Sequence, residues 1–171
     1  MMTMPTPSRF FLRLLWLCAA VLALGACQSP PPAAADTQAA RRAQVLREQG
    51  FVQTDEGWEL QMSGKLLFDF NSDTVTSARR EVLMRMGRAL VDVGVRTLRV
   101  EGHADDQGQA DYNERLSLRR AQSVAQVLAE TGIPREQIDV RGYGASRPLV
   151  ASTSEAARQE NRRVALIVPA Q

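Results

Sequence analysis

Apolar and polar positions alternate with two different periods along this chain, and the changes of period mark its elements. From Tyr112 onward, Leu116, Val124, Val127 and Leu128 recur at helical spacing with no Gly or Pro between them, which predicts a helix. At ~100° per residue these four share one arc. Asn113 and Arg120 fall near its middle, while Arg115, Arg119, Gln122 and Gln126 point away as a solvated face. Thr131-Gly132-Ile133-Pro134 closes this helix. A second helix is expected from about Thr76, with Val82, Leu83, Met86, Leu90 and Val91 as its buried stripe and Gly94 as its stop. A short third one is expected over Ala40–Gln49, ended by Gly50.

Strand periods occupy the rest. Phe51 to Met62 reads as two short strands around Asp55-Glu56-Gly57, a hairpin signal, with Trp58, Leu60 and Met62 alternating against Glu59 and Gln61. Lys65 to Phe70 reads as a strand running into the polar turn Asn71-Ser72-Asp73. Leu98, Val100 and Gly102 form one face of another strand. Ile138 to Gly144 and Ala165 to Val168 supply the last two, joined by the polar stretch Ser152 to Glu160. The order predicts an α+β sandwich: a mixed sheet of about four core strands with two main helices on one face, plus a short N-terminal helix and hairpin.

Candidate chemistry gathers before the central helix. A guanidinium in the middle of an apolar arc is costly unless a carboxylate meets it. Asp105, in the Gly-flanked loop after Leu98-Arg99-Val100, is placed to do so for Arg120. Such a pair across a shallow gap would suit a zwitterion, or it would be a structural salt bridge pinning loop to helix; spacing leaves both open. His103 with Asp105 and Asp106 resembles a metal or acid–base cluster only superficially, because it lacks the ligand count of a zinc site. With no nucleophile motif, phosphate loop or paired-Cys motif, the chain reads as a non-enzyme with no cofactor and no metal, and His103 as a brace for the loop.

Composition adds bounds. The chain has 171 residues and a net charge of +2, which suits one soluble domain plus extras and argues against nucleic acid, since the arginines are dispersed. Arg9 and Arg13 flank or overlap the apolar run Phe10 to Leu24, which is too short for a spanning helix and reads as a signal segment. It ends Leu24-Gly25-Ala26-Cys27, similar to a bacterial lipobox. That similarity implies removal of residues 1–26, with Cys18 among them, acylation of Cys27, and an outer-membrane anchor facing the periplasm. Residues 27–40, rich in Pro and Ala, read as a tether; residues 41–63 hold the helix and hairpin, and 64–171 the main domain.

GHADDQG followed by YNERLSLRRAQSVAQVL resembles the OmpA-like, or OmpA/MotB C-terminal, peptidoglycan-binding family. Asn113, Leu116, Ser117, Arg120, Ala121, Val124 and Leu128 match its pattern, and Ala104 departs from it where Thr is usual. The resemblance implies non-covalent binding of peptidoglycan, with Asp105 and Arg120 holding the diaminopimelate of the stem peptide through charge-assisted bonds. It places Asn71, Gly108, Asn113 and Leu116 around that ligand, though Asn71 would also serve as a plain turn former. Asn161-Arg162-Arg163-Val164 before the last strand is another family landmark. It implies that Arg162 or Arg163 lines the groove, Arg163 being the residue chosen.

The run AQVLREQGFVQTDEGWELQM, with LIVPAQ at the end, resembles a regulatory branch of these lipoproteins. That resemblance implies a partner: a small periplasmic protein that represses an inner-membrane diguanylate cyclase. Its capture releases cyclic di-GMP synthesis and biofilm formation. The alternative is a structural anchor between outer membrane and wall. Leu46, Phe51 and Trp58 are then the expected partner-binding switch, able to bury against their own domain, a second copy in a homodimer, or the partner.

Overall fold

A computed structural model describes residues 34–69 and 72–170. The signal segment 1–26, Cys27, the first part of the tether and Asn71 therefore lie outside the described residues. Residues 1–37 group separately, and Gln38 onward forms one compact unit. Along the chain run α1 (Ala34–Glu48), β1 (Val52–Thr54), β2 (Gly57–Ser63), α2 (Gly64–Leu67), α3 (Ser77–Asp92), β3 (Leu98–Gly102), α4 (Ala110–Ala129), β4 (Ile138–Gly142), α5 (Glu155–Asn161) and β5 (Arg163–Pro169).

The strands form one sheet in the order β1-β2-β5-β3-β4. Every pairing is antiparallel except β3 with β4, so the sheet is mixed and the architecture is α+β as expected. Register explains its two faces. Trp58, Leu60 and Met62 pair with Val168, Leu166 and Val164, and Val100 pairs with Leu166 on the other side. These residues join Leu83, Leu90, Val124 and Leu128 of the two long helices in one apolar cluster. The alternate positions, Glu59, Gln61, Arg99, Glu101, Asp139 and Arg141, fall on the opposite face, as a period of two demands.

Several expectations are corrected. The hairpin is not an extension outside a four-stranded core: β2 pairs with β5 from Gly57↔Pro169 to Ser63↔Arg163, which makes five strands. The expected strand from Lys65 does not form among the described residues Lys65 to Asp69. Its apolar run begins where the β5 ladder ends, so no partner backbone is available, and the chain coils into α2 before Phe68 makes a single bridge to Val75. Helix α1 starts at Ala34, inside the expected tether, because the alanines after Pro32 are strong helix formers. Val82 is 43 % exposed, so it drops out of the buried stripe of α3, which keeps Leu83, Met86 and Leu90. The polar stretch Ser152 to Glu160 contains α5, started by a Ser154 side chain that accepts from the Ala157 N–H at 3.2 Å, an N-cap.

The expected switch residues bury against their own domain, one of the arrangements anticipated for them. Leu46 is fully buried and Phe51 is 3 % exposed, both inside the main apolar cluster. Trp58 is half-buried against the same cluster, with the Arg47 guanidinium 5.1 Å from its ring centroid. A residue that completes this core is not a free anchor for a partner.

Candidate functional site

The site is set by how closely α4 lies on the sheet. A Cβ on Gly102 would meet the Ser117 carbonyl oxygen at 1.9 Å, and one on Gly142 would meet Leu118 at 2.6 Å. The glycines that end β3 and β4 therefore let the helix backbone touch the strand ends. The Ser117 hydroxyl locks this seat by accepting from the Gly144 N–H at 2.9 Å. So held, α4 projects Asn113, Leu116 and Arg120 into an open groove of about 780 Å³, whose other walls come from α2, the β3–α4 loop and α5.

Asp105, Asn113, Leu116 and Arg120 all line this groove, with Phe68, Ala104, Gln107, Glu155, Gln159 and Arg162 among their neighbours. Asn113 is buried, and its amide donates to the carbonyls of Asp105 at 3.2 Å and Gln107 at 2.7 Å. Its role is thus to fold the loop onto the first turn of α4. Gly108 is not part of the lining; at φ +88° it supplies a left-handed turn in that loop that other residues adopt only with strain.

The charges are arranged differently from the expected Asp105/Arg120 pairing. Asp105 is 8 % exposed; one carboxylate oxygen accepts the Gln107 N–H at 3.1 Å and the other pairs with Arg162. Arg162 also reaches Glu155 at 2.8 Å. Burial opposes the charge on Arg162, yet the bonds to Glu155 and Asp105 outweigh it and hold the guanidinium above the usual arginine range. Glu155 is correspondingly held low, chiefly by its bond to Arg162.

Arg120 is half-buried. Its Nε donates to the Ser72 carbonyl at 3.0 Å, and its guanidinium lies 5.1 Å from the Phe68 ring centroid. No carboxylate among the described residues forms an ion pair with it. Desolvation pushes its pKa down, leaving a cation in need of an anion.

Arg163 does not line the groove. It is 7 % exposed and donates to Gln61 at 2.9 Å and to the carbonyls of Asn161 and Arg147 at 3.4 and 3.3 Å. Adjacent strand residues point to opposite sides, so only Arg162, at the end of α5, faces Asp105. Glu155 and Gln159 were not legible as groove residues; the signal that carries them is the Ser154 cap, which starts a helix and puts positions i and i+4 on one face. Asp106 pairs with Arg158 at 2.8 Å, and His103 is 2 % exposed beneath the loop, stacked on Tyr143. Among the described residues no group of three His, Cys, Asp or Glu could hold a metal.

Comparison with known proteins agrees with this geometry. Residues 67–162 match the profile of the OmpA family. The chain is 47 % identical to the outer-membrane lipoprotein YfiB of Pseudomonas aeruginosa over 96 % of each chain. It is 33 % identical to a lipoprotein YfiB of Escherichia coli, covering 86 % of this chain and 90 % of that one. Among solved structures, the peptidoglycan-associated lipoprotein of Burkholderia pseudomallei superposes with a TM-score of 0.53 at 26 % identity, over 63 % of this chain and 87 % of that one. With its α+β fold, its groove and a relative matched along nearly its whole length, this chain belongs to the OmpA family.

Proposed function

We propose that the chain is an outer-membrane lipoprotein, anchored through Cys27 on the periplasmic face, that binds peptidoglycan non-covalently in the groove. The observation that supports this best is that a half-buried Arg120 with no carboxylate partner among the described residues and a nearly enclosed Asp105 line one groove. The free end of diaminopimelate carries a carboxylate for the first and an ammonium for the second. The function is binding, with no catalytic step. Arg120→Ala should abolish co-sedimentation with purified sacculi and should leave the melting temperature within a few degrees of wild type. Pelleting at the wild-type level would remove the groove from the assignment.

The likeness to YfiB proteins over almost the whole chain favours a regulatory role within this setting. In that reading the wall-bound lipoprotein sequesters a YfiR-like periplasmic repressor and so activates the diguanylate cyclase YfiN. A second reading, a structural anchor of the peptidoglycan-associated type, draws on the Burkholderia likeness. Calorimetry with a purified YfiR-like protein separates them: saturable binding supports the regulator, and none supports the anchor.

A further inference from the structure

One cation serves two carboxylates in this groove. Arg162 bridges Asp105, at the start of the β3–α4 loop, and Glu155, in the first turn of α5. Arg120 enters the same space from α4, and the positive charge of Arg162 is among the influences that lower its pKa. Two guanidiniums thus share the groove with Asp105, whose carboxylate already accepts from Gln107 and Arg162. An ammonium arriving alone meets a neutralised carboxylate and two like charges, which is unfavourable in a partly desolvated site. An ammonium with a carboxylate on the same carbon brings the anion that Arg120 lacks.

We propose that Arg162 is a specificity-determining residue: by competing with the ligand's ammonium for Asp105, it makes the groove reject simple amines and admit only an amine that carries its own carboxylate. This inference rests on the reading of the groove as a diaminopimelate site. It identifies the competitor that the groove is built against, a stem peptide with lysine at the same place. The lysine side chain ends in the same ammonium without the carboxylate. Selectivity of this kind is a difference of two affinities, and a repulsive element contributes to it as much as an attractive one.

The test uses the mature chain made soluble by Cys27→Ser, titrated calorimetrically with two tripeptides: L-Ala-γ-D-Glu-diaminopimelate and its lysine counterpart. Wild type should prefer the first by about tenfold or more. Arg162→Gln should narrow that preference severalfold, by a gain on the lysine peptide. Arg162→Lys, which keeps a cation at the position, should preserve the preference and also guards against a folding defect in the first variant. Three results overturn the proposal: an unchanged preference in Arg162→Gln, a loss of the diaminopimelate peptide as complete as in Arg120→Ala, or equal tolerance of lysine in both variants. If wild type binds neither peptide, the diaminopimelate reading itself falls and this inference with it.

Discussion

Glu101 is 7 % exposed on the sheet face away from the long helices. Burial alone would raise its pKa, but contacts with His103, Arg99 and Arg147 outweigh burial and hold it below the usual carboxylate value. Arg99 Nε lies 2.8 Å from Glu101 Oε1 but off the hydrogen-bonding line, so the contact is an ion pair without a directed bond. A carboxylate whose pKa is lower folded than unfolded adds stability above its unfolded pKa, and that stability is lost as pH falls through the folded value. Glu101→Gln should therefore cost about 1–3 kcal/mol at neutral pH and flatten the acid limb of a stability-versus-pH curve below the ordinary carboxylate range. Urea titrations from neutral to acidic pH check both. At the same scale, Arg162 and Arg163 show why neighbours in sequence are not alternatives in space: one faces the groove, the other is packed against Gln61 and Arg147.

Among elements, the N-terminal helix and hairpin change meaning most. Their apolar residues sit between a spacer and a domain with its own apolar stripes, which left open burial against that domain, a second copy or a partner. The pairing of β2 along β5 and the burial of Leu46 and Phe51 select the first of these and make them part of the core. Phe51→Ala should lower stability by about 3–5 kcal/mol, read as a shift in the urea midpoint at constant slope. An unchanged midpoint would mean that the ring contributes nothing to the core. Any arrangement that hands Phe51 to a partner must first recover a similar loss.

For the whole molecule, the start of α1 at Ala34 bounds the tether that the proposed anchor on Cys27 would use. Residues 28–33 separate Cys27 from Ala34, a span of at most about 25 Å at full extension. On the proposed function two attachments hold the chain, the lipid on Cys27 and the groove around Arg120. Cys27→Ser should release the protein from the outer-membrane fraction into the soluble periplasm, with some of it still retained on the wall. The double variant with Arg120→Ala should be wholly soluble. Fractionation of cells carrying each variant checks this, and retention of the double variant in the envelope would point to a third attachment.

The long helices, the strands Leu98–Gly102 and Ile138–Gly142, and the hairpin were legible in the sequence, because each carries a sustained 3.6- or 2-residue period that burial of one face requires. The family and the groove positions Asp105, Asn113, Leu116 and Arg120 were legible through a dense local motif. What lay beyond reach depended on partners distant in the chain. Whether Lys65 to Phe70 becomes strand or helix turns on whether a neighbouring ladder continues there, and β5 does not provide one. Whether Leu46 and Phe51 are core or surface turns on the pairing of β2 with β5, roughly a hundred positions apart in the register. That Arg162 holds Asp105 was out of reach for the same reason. Local spacing offered Arg120, but the close seat of α4 on Gly102 and Gly142 and the cap that starts α5 bring Arg162 to it first. Periodicity is a property of one segment, whereas the choice among oppositely charged neighbours is made by the packing of several.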